Sequence, residues 1–217
     1  EQLTPFEPPA SEGAHDPDRG FTIGQRMESH GGLGRTGVIH TAHGTIATPA
    51  FIPVGTKANV KALTPEMVRS LGAQAVLANA YHLYLQPGSD IVDEAGGFGP
   101  FMNWSGPTYT DSGGFQLFSL DHMMKADADG VTFHARDYDG SAHRWTPESN
   151  MDIQQRIGAD ICMQLDQCIG YPCEKEDVAA STALSWEWAK RCCDAHTRID
   201  QALFAIVQGG MHLDLRL

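Results

Sequence analysis

Five short apolar runs, each ending in polar or glycine-rich residues and separated by helix signals, restrict the possible folds of this chain most strongly. They are AFIPVG (50–55), AVLANA (75–80), TYTD (108–111), ICMQLD (161–166) and LFAIVQ (203–208). Between them, Thr64 is placed to cap a helix with Pro65 in its first turn and Gly72 just past its end. Thr146-Pro147-Glu148 repeats that start signal, with Met151, Ile153 and Ile157 as a partial apolar face. Asp177 opens a longer segment in which Ala180, Leu184, Trp188 and Cys192 recur every fourth residue, which predicts an amphipathic helix. Strands alternating with helices predict parallel β/α units. Each run ends in functional-looking chemistry: VGT, NAYH, DSGGFQ, LDQC and VQGG. A TIM barrel builds its site from the C-terminal ends of many strands, whereas a doubly wound sheet uses one switch point. The expected fold class is therefore α/β, a (β/α)8 TIM barrel. About five strands are legible where eight close a barrel, so the barrel is expected to be truncated within this chain.

Residues 1–20, rich in Pro, Gly and acids, are expected to form a flexible tail. Residues 21–217 then form the N-terminal portion of one catalytic domain. It opens with a small antiparallel β element over 21–49 and carries an inserted hairpin at about 120–145. Within that insertion KADADG (125–130) reads as a loop, and the YDG of RDYDGSAHR (136–144) as a tight β-turn.

No apolar run approaches the ~20 residues that cross a bilayer, and no signal peptide opens the chain. No membrane association is expected. Five cysteines (Cys162, Cys168, Cys173, Cys192 and Cys193) lack paired spacing, which predicts reduced thiols in a cytoplasm. None forms C-x-x-C, so no zinc site is expected in these residues. His15, His30, His40, His43, His122, His134, His143, His196 and His212 show no ligand spacing and read as solvated or locally hydrogen-bonded. The net charge of −12 opposes non-specific nucleic-acid binding. Any RNA contact must use a local basic patch or residues outside the chain.

The sharpest chemistry lies in TYTDSGGFQLFSL. Asp111 offers a carboxylate, Ser112, Gly113 and Gly114 allow close backbone approach, and Phe115 offers a ring that can stack on a planar base. A turn with a capping Asp and a core Phe explains the same residues equally well. Asp166 ends an apolar strand, where a lone carboxylate is costly to bury. It reads either as a recogniser of purine N–H groups or a catalytic carboxylate, or as a cap of the next loop. Cys168 is a pocket wall or a buried apolar thiol. Gln208 suits a base edge or satisfies nearby backbone. Tyr81 and His82 sit beside these residues or simply pack.

Taken in order, NAYHL, DSGGFQ, RWTPES, LDQCIGYP and FAIVQGG, with TPAFIPVGTKANVKALTPEMVRSLGAQAVLANAYHLYLQPG and GGFGPFMNWSGPTYTDSGGFQLFSL around the first two, resemble the tRNA-guanine transglycosylase family, from about Thr48 to Arg216. The resemblance implies exchange of the wobble guanine of a tRNA anticodon for a 7-deazaguanine. In that reaction one aspartate attacks the ribose C1′, leaving a covalent RNA–enzyme intermediate, and a second, matching Asp111, accepts the proton of the incoming base. Phe115 would stack on the base, Asp166 and Gln208 would bond its edge, and Cys168 implies the bacterial substrate preQ1. The family's nucleophile, basic RNA-contacting segments and structural Cys3His zinc site all follow VQGG, and this chain is expected to lack them. The 217 residues are then expected to bind base weakly at most and to perform no exchange. Homodimerisation is implied by the family alone. Two rivals remain: a TIM-barrel glycoside hydrolase using Asp111 and Asp166, and a non-catalytic base- or tRNA-binding subunit.

Overall fold

A computed structural model describes residues 20–28, 33–120 and 124–216. The tail expected over 1–20 lies outside these except for Gly20, which begins a strand. His15, His30 and His122 also lie outside them.

Three antiparallel strands open the fold: β1 (Gly20–Arg26), β2 (Arg35–Thr41) and β3 (Gly44–Thr48), in that spatial order. The central element is a parallel sheet of β4 (Val76–Ala78), β5 (Thr108–Thr110), β9 (Ile161–Met163) and β10 (Ala202–Phe204), ordered β10-β9-β5-β4. The chain is thus α/β with a parallel sheet. The 50–55 run is not a full strand. Pro53 at its centre has no amide hydrogen to donate to a ladder, and the run adds only a bridge between Val54 and Leu77 beside β4. Each strand is shorter than its apolar run because the last residues turn away to carry side chains. Asp166 and Gln208 accordingly sit on loops beyond β9 and β10.

Helix starts follow their capping residues. In α1 (Pro65–Ser70) the Thr64 hydroxyl accepts from Met67 N at 3.3 Å, and Gly72 takes φ +89° beyond its end. In α6 (Pro147–Ile157) Thr146 and Ser149 form a reciprocal capping box. Met151, Ile153 and Ile157 of α6 are all buried. The long helix α7 (Lys175–Ala195) buries Val178, Ser181, Ser185, Trp188 and Cys192, while Ala180 is exposed. A strict four-residue repeat drifts about 40° per turn against a 3.6-residue helix, so the expected stripe is right at Trp188 and Cys192 and rotates off the core by Ala180.

Four helices escape the sequence reading: α2 (Ala80–Leu85), α3 (Ser89–Glu94), α4 (Phe98–Met102) and α5 (Gly114–Leu120). With five to seven residues each, they span too few turns to display a period. α8 (Leu213–Arg216) is a single turn.

The insertion is a three-stranded antiparallel sheet, β6 (Lys125–Asp127), β7 (Gly130–His134) and β8 (Ala142–Trp145), rather than a hairpin. The two turn assignments are reversed. KADADG makes the tight connection, pairing Asp127 with Gly130, because the Asp127 carboxylate accepts from the backbone of Asp129 and Gly130. YDG instead lies in the wider 135–141 loop, closed by Ala135 N donating to Ser141 O. Trp145 seats the insertion on the core by packing against Tyr81, Tyr84 and Phe133.

One buried carboxylate joins the N-terminal sheet to the parallel sheet. Asp160, just before β9, accepts from Thr108 N and Oγ1, both at 2.9 Å, and from His43 N at 3.0 Å, and its Oδ1 pairs with His43 Nδ1 at 2.8 Å. His43 keeps the solvated side chain and local bond expected of it, its N–H reaching Thr41 Oγ1 at 3.3 Å, and adds a bond to a residue 117 positions away.

Candidate active site

A parallel sheet presents every strand's C-terminal end at one edge, and there Asn79, Asp111, Asp166 and Gln208 converge. Asp111 follows β5 directly. Its Oδ2 accepts from Asn79 Nδ2 at 2.5 Å and Gln116 Nε2 at 3.1 Å, and its Oδ1 accepts from Ala80 N at 2.9 Å. The last bond satisfies the first turn of α2, whose own cap residue Asn79 provides no side-chain cap bond. Asp111 therefore does cap, but across 31 positions of sequence and not in its own turn. Burial raises its pKa, and the bonds from Asn79, Ala80, Gln116 and Gly113 only partly oppose that. Its carboxylate is a stronger base than one in water.

Asp166 is 5% exposed. Its Oδ1 accepts from Ser112 Oγ at 3.0 Å, and its Oδ2 from Gln208 Nε2 at 2.6 Å and the Cys168 thiol at 3.6 Å. These are side-chain partners drawn from three loops, so Asp166 is not simply a loop cap, and Gln208 serves a carboxylate and not backbone. Burial again raises the Asp166 pKa against these bonds. Burial and the neighbouring Asp166 charge push the Cys168 thiol up to about 12. It therefore stays protonated as a donor in the pocket wall.

The glycine pair is required by packing. Gly113 has φ +79°, and a Cβ there would meet the Trp145 ring at 2.8 Å. Gly114 begins α5. A Cβ on it would meet Asp166 Oδ1 at 2.6 Å and the Asp166 carbonyl oxygen at 2.8 Å. Only a bare α-carbon lets these two strand ends close on each other. Ser112 is the link: its Oγ donates to Asp166 and accepts from Gly114 N, while its carbonyl accepts from Asn150 Nδ2 at 2.8 Å.

Phe115 is 63% exposed and is not a core residue. With Cys168 and Gln208 it lines a cavity of about 250 Å³, adjoining Phe118 and Tyr171. Asp111 and Asp166 stand outside that lining. A larger cavity of about 800 Å³ lies at the opposite, N-terminal ends of the strands, around Thr108, Trp104 and Gly158, away from both carboxylates. Tyr81 is core, 1% exposed. His82 lies in α2, with Nδ1 2.7 Å from the Tyr138 hydroxyl, and burial followed by the Lys57 charge lowers its pKa.

The sequence reading missed Asn79, Gln116, Asn150 and Gln154. Gln116 holds Asp111 through Nε2 while its Oε1 is buried without a partner. Asn150 and Gln154 are fully buried on the core face of α6. Gln154 Nε2 reaches Asn150 Oδ1 at 2.8 Å and Met163 O at 2.7 Å, and its Oε1 accepts from Thr110 Oγ1 at 3.0 Å. Polar residues four apart within an apolar stripe were the available signal. All described cysteines are free thiols, and among the described residues no three His, Cys, Asp or Glu side chains are grouped to hold a metal ion. These residues do not fit the zinc site that the resemblance implies.

Comparison with known proteins agrees with the motifs. Residues 30–217 match the family model described as queuine tRNA-ribosyltransferase. A protein of that name from Pelotomaculum thermopropionicum is 50% identical over 196 residues, covering 90% of this chain and 52% of the relative. One from Synechococcus elongatus is 54% identical over 184 residues, covering 84% and 48%. The chain spans about half the length of the curated relatives it matches. Over that half, from the antiparallel strands to the loop bearing Gln208, it belongs to the queuine tRNA-ribosyltransferase family.

Proposed function

We propose that these residues form the base-binding half of a tRNA-guanine transglycosylase active site, on the first strands of a TIM barrel. The reading is carried by two carboxylates at neighbouring strand ends, the half-buried Asp111 held by Asn79 and the buried Asp166 held by Ser112, the residue that follows Asp111. A guanine edge offers adjacent N–H donors that suit an acceptor-only carboxylate. Asp166 takes that edge, Gln208 donates to the base carbonyl, and Phe115 stacks on the ring. Asp111, made basic by burial, accepts the proton released when the incoming 7-deazaguanine nitrogen bonds to the ribose C1′. That step closes a double displacement, in which a second aspartate has already displaced guanine and formed an aspartyl-ribose bond. In this reading the nucleophile follows the Val207–Gly210 segment, as the resemblance implies, and the 217 residues alone are expected to perform no exchange. Cys168 supports preQ1 as the incoming base. A zinc site and a homodimer, both working in a reducing cytoplasm, belong to the same reading.

Labelled guanine tests it directly. A version extended to its relatives' length should incorporate the label into tRNA and lose that activity in Asp111→Asn. Release of free sugar from a glycoside, without incorporation, would place the two carboxylates in a hydrolase instead.

A further inference from the structure

Among the described residues, every hydrogen-bond partner of Asp111 is a donor. Asn79 Nδ2, Gln116 Nε2 and the backbone N–H groups of Ala80 and Gly113 are all directed at its carboxylate. That set suits an ionised carboxylate, which only accepts. It leaves the O–H of the protonated acid with nothing to donate to, and a base lying over the site shuts out the water that could serve. A hydroxyl withdrawn from water without an acceptor is costly. A proton acceptor surrounded in this way is penalised on taking its proton, unless one partner can change role.

Gln116, the third residue of α5, is placed to do so. Its Nε2 reaches Asp111 Oδ2 at 3.1 Å, while its Oε1 is buried with no partner among the described residues. Ala80 and Gly113 offer backbone N–H groups that cannot reverse. Asn79 is also an amide, but its bond is shorter, at 2.5 Å, and its oxygen is not orphaned in the same way. The two ends of a glutamine amide have the same shape, so packing does not choose between them. In Gln116 no second bond chooses either. The protonation state of Asp111 is the interaction left to decide which end faces it.

We propose that Gln116 is a positioning residue whose side-chain amide turns over with the proton on Asp111, donating through Nε2 to the carboxylate and accepting through Oε1 from the carboxylic acid. A half-turn about the last side-chain torsion exchanges the two ends and breaks no bond except the one to Asp111. In the proposed reaction the proton passes from the incoming base nitrogen to Asp111 and nothing else is transferred. The use of the device in catalysis rests on that reading; the turnover itself is tested apart from it. The charged groups around the carboxylate are His82, which interacts with Lys57, Asp111 and Asp137, and Asp166, one link away through Ser112. An uncharged amide serves both forms of Asp111 without repelling any of them.

NMR of the isotope-labelled 217-residue chain from about pH 4 to 8 tests it. The scalar coupling across the hydrogen bond from Gln116 Nε2 to the Asp111 carboxyl carbon should be present above the carboxyl's titration midpoint and lost below it. The Gln116 amide shifts should move at that same midpoint. Both changes should remain in His82→Gln, which separates them from titration of the imidazole. Gln116→Met keeps the length of the side chain and removes donor and acceptor together, so the proton affinity of Asp111 should change less than about threefold. An amide that only donates stabilises only the carboxylate, and its loss should raise that affinity about tenfold or more. Coupling that persists through the midpoint, amide shifts that ignore it, or a tenfold change in Gln116→Met overturns the proposal. The wild-type titration needs no variant, so it decides the matter even if Gln116→Met does not fold. Turnover of the amide in a chain that binds no guanine would count against the base-site reading and would still bear out the role of Gln116.

Discussion

Gly114→Ala is the sharpest perturbation of the site because it adds one carbon where two strand ends meet. That carbon would lie 2.6 Å from Asp166 Oδ1, 2.8 Å from the Asp166 carbonyl oxygen and 3.2 Å from Ser112 Oγ. Ordinary carbon–oxygen contact begins well beyond 3 Å, so the first two must open by at least several tenths of an ångström. The side-chain oxygen can swing away, but only by breaking its bond to Ser112. The carbonyl oxygen is backbone and moves only if the 164–168 loop moves with it. Overpacking of this kind costs about 1–3 kcal/mol. Loss of the Ser112–Asp166 bond adds about 1 kcal/mol. Urea denaturation should therefore show an unfolding free energy lowered by about 2–4 kcal/mol, read as a lower midpoint at unchanged slope. Any guanine signal in ligand-observed NMR should vanish with it, under conditions where the variant is folded. Gly170→Ala is the control, since its nearest neighbour would be Phe118 Cζ at 3.7 Å, and it should stay within about 0.5 kcal/mol of wild type. Wild-type stability and base binding in Gly114→Ala would refute the tight closure of the site.

The buried carboxylates make stability depend on pH. The folded pKa of Asp166 is raised above the ordinary 3.8, so its contribution is fully present below that value and is lost as pH rises through the raised one. Asp166→Asn should consequently gain on wild type as pH rises, by about 0.5–2 kcal/mol at neutrality, while losing base binding. Thermal melts from pH 4 to 8 check this, and a constant difference across the range would contradict it. Asp160→Ala removes the acceptor of the buried Thr108 N–H and hydroxyl and should cost about 2–5 kcal/mol in denaturation. It should leave the strand ends around Asp111 unchanged, and a loss of base binding in the folded variant would show the two clusters to be coupled. Labelled guanine should not enter tRNA with the 217-residue chain, and measurable turnover would show that the nucleophile lies within it.

The parallel strands, and the gathering of polar residues at their ends, were legible because apolar runs end abruptly at polar or glycine-rich residues. The caps at Thr64 and Thr146 were legible because capping is a local rule. What escaped depends on distance in sequence. Asp160 reaches His43 across 117 positions, and Asp111 caps α2 across 31, and no local pattern announces either pairing. The glycine pair read as allowing close backbone approach to a ligand, and its tightest neighbours are Trp145 and Asp166. Helices α2 to α5 were too short to show a period, and the turns of the insertion were exchanged because a single Asp127 side chain decides which is tight.

The central claim is that Asp111 and Asp166 mark a purine-base site. Saturation-transfer NMR of guanine against the 217-residue chain, with Asp166→Asn as partner, addresses it most directly because it detects millimolar binding. The account predicts a weak, saturable guanine signal that Asp166→Asn abolishes while its fold persists. Equal signals from the two proteins, or none from the wild type, would contradict it.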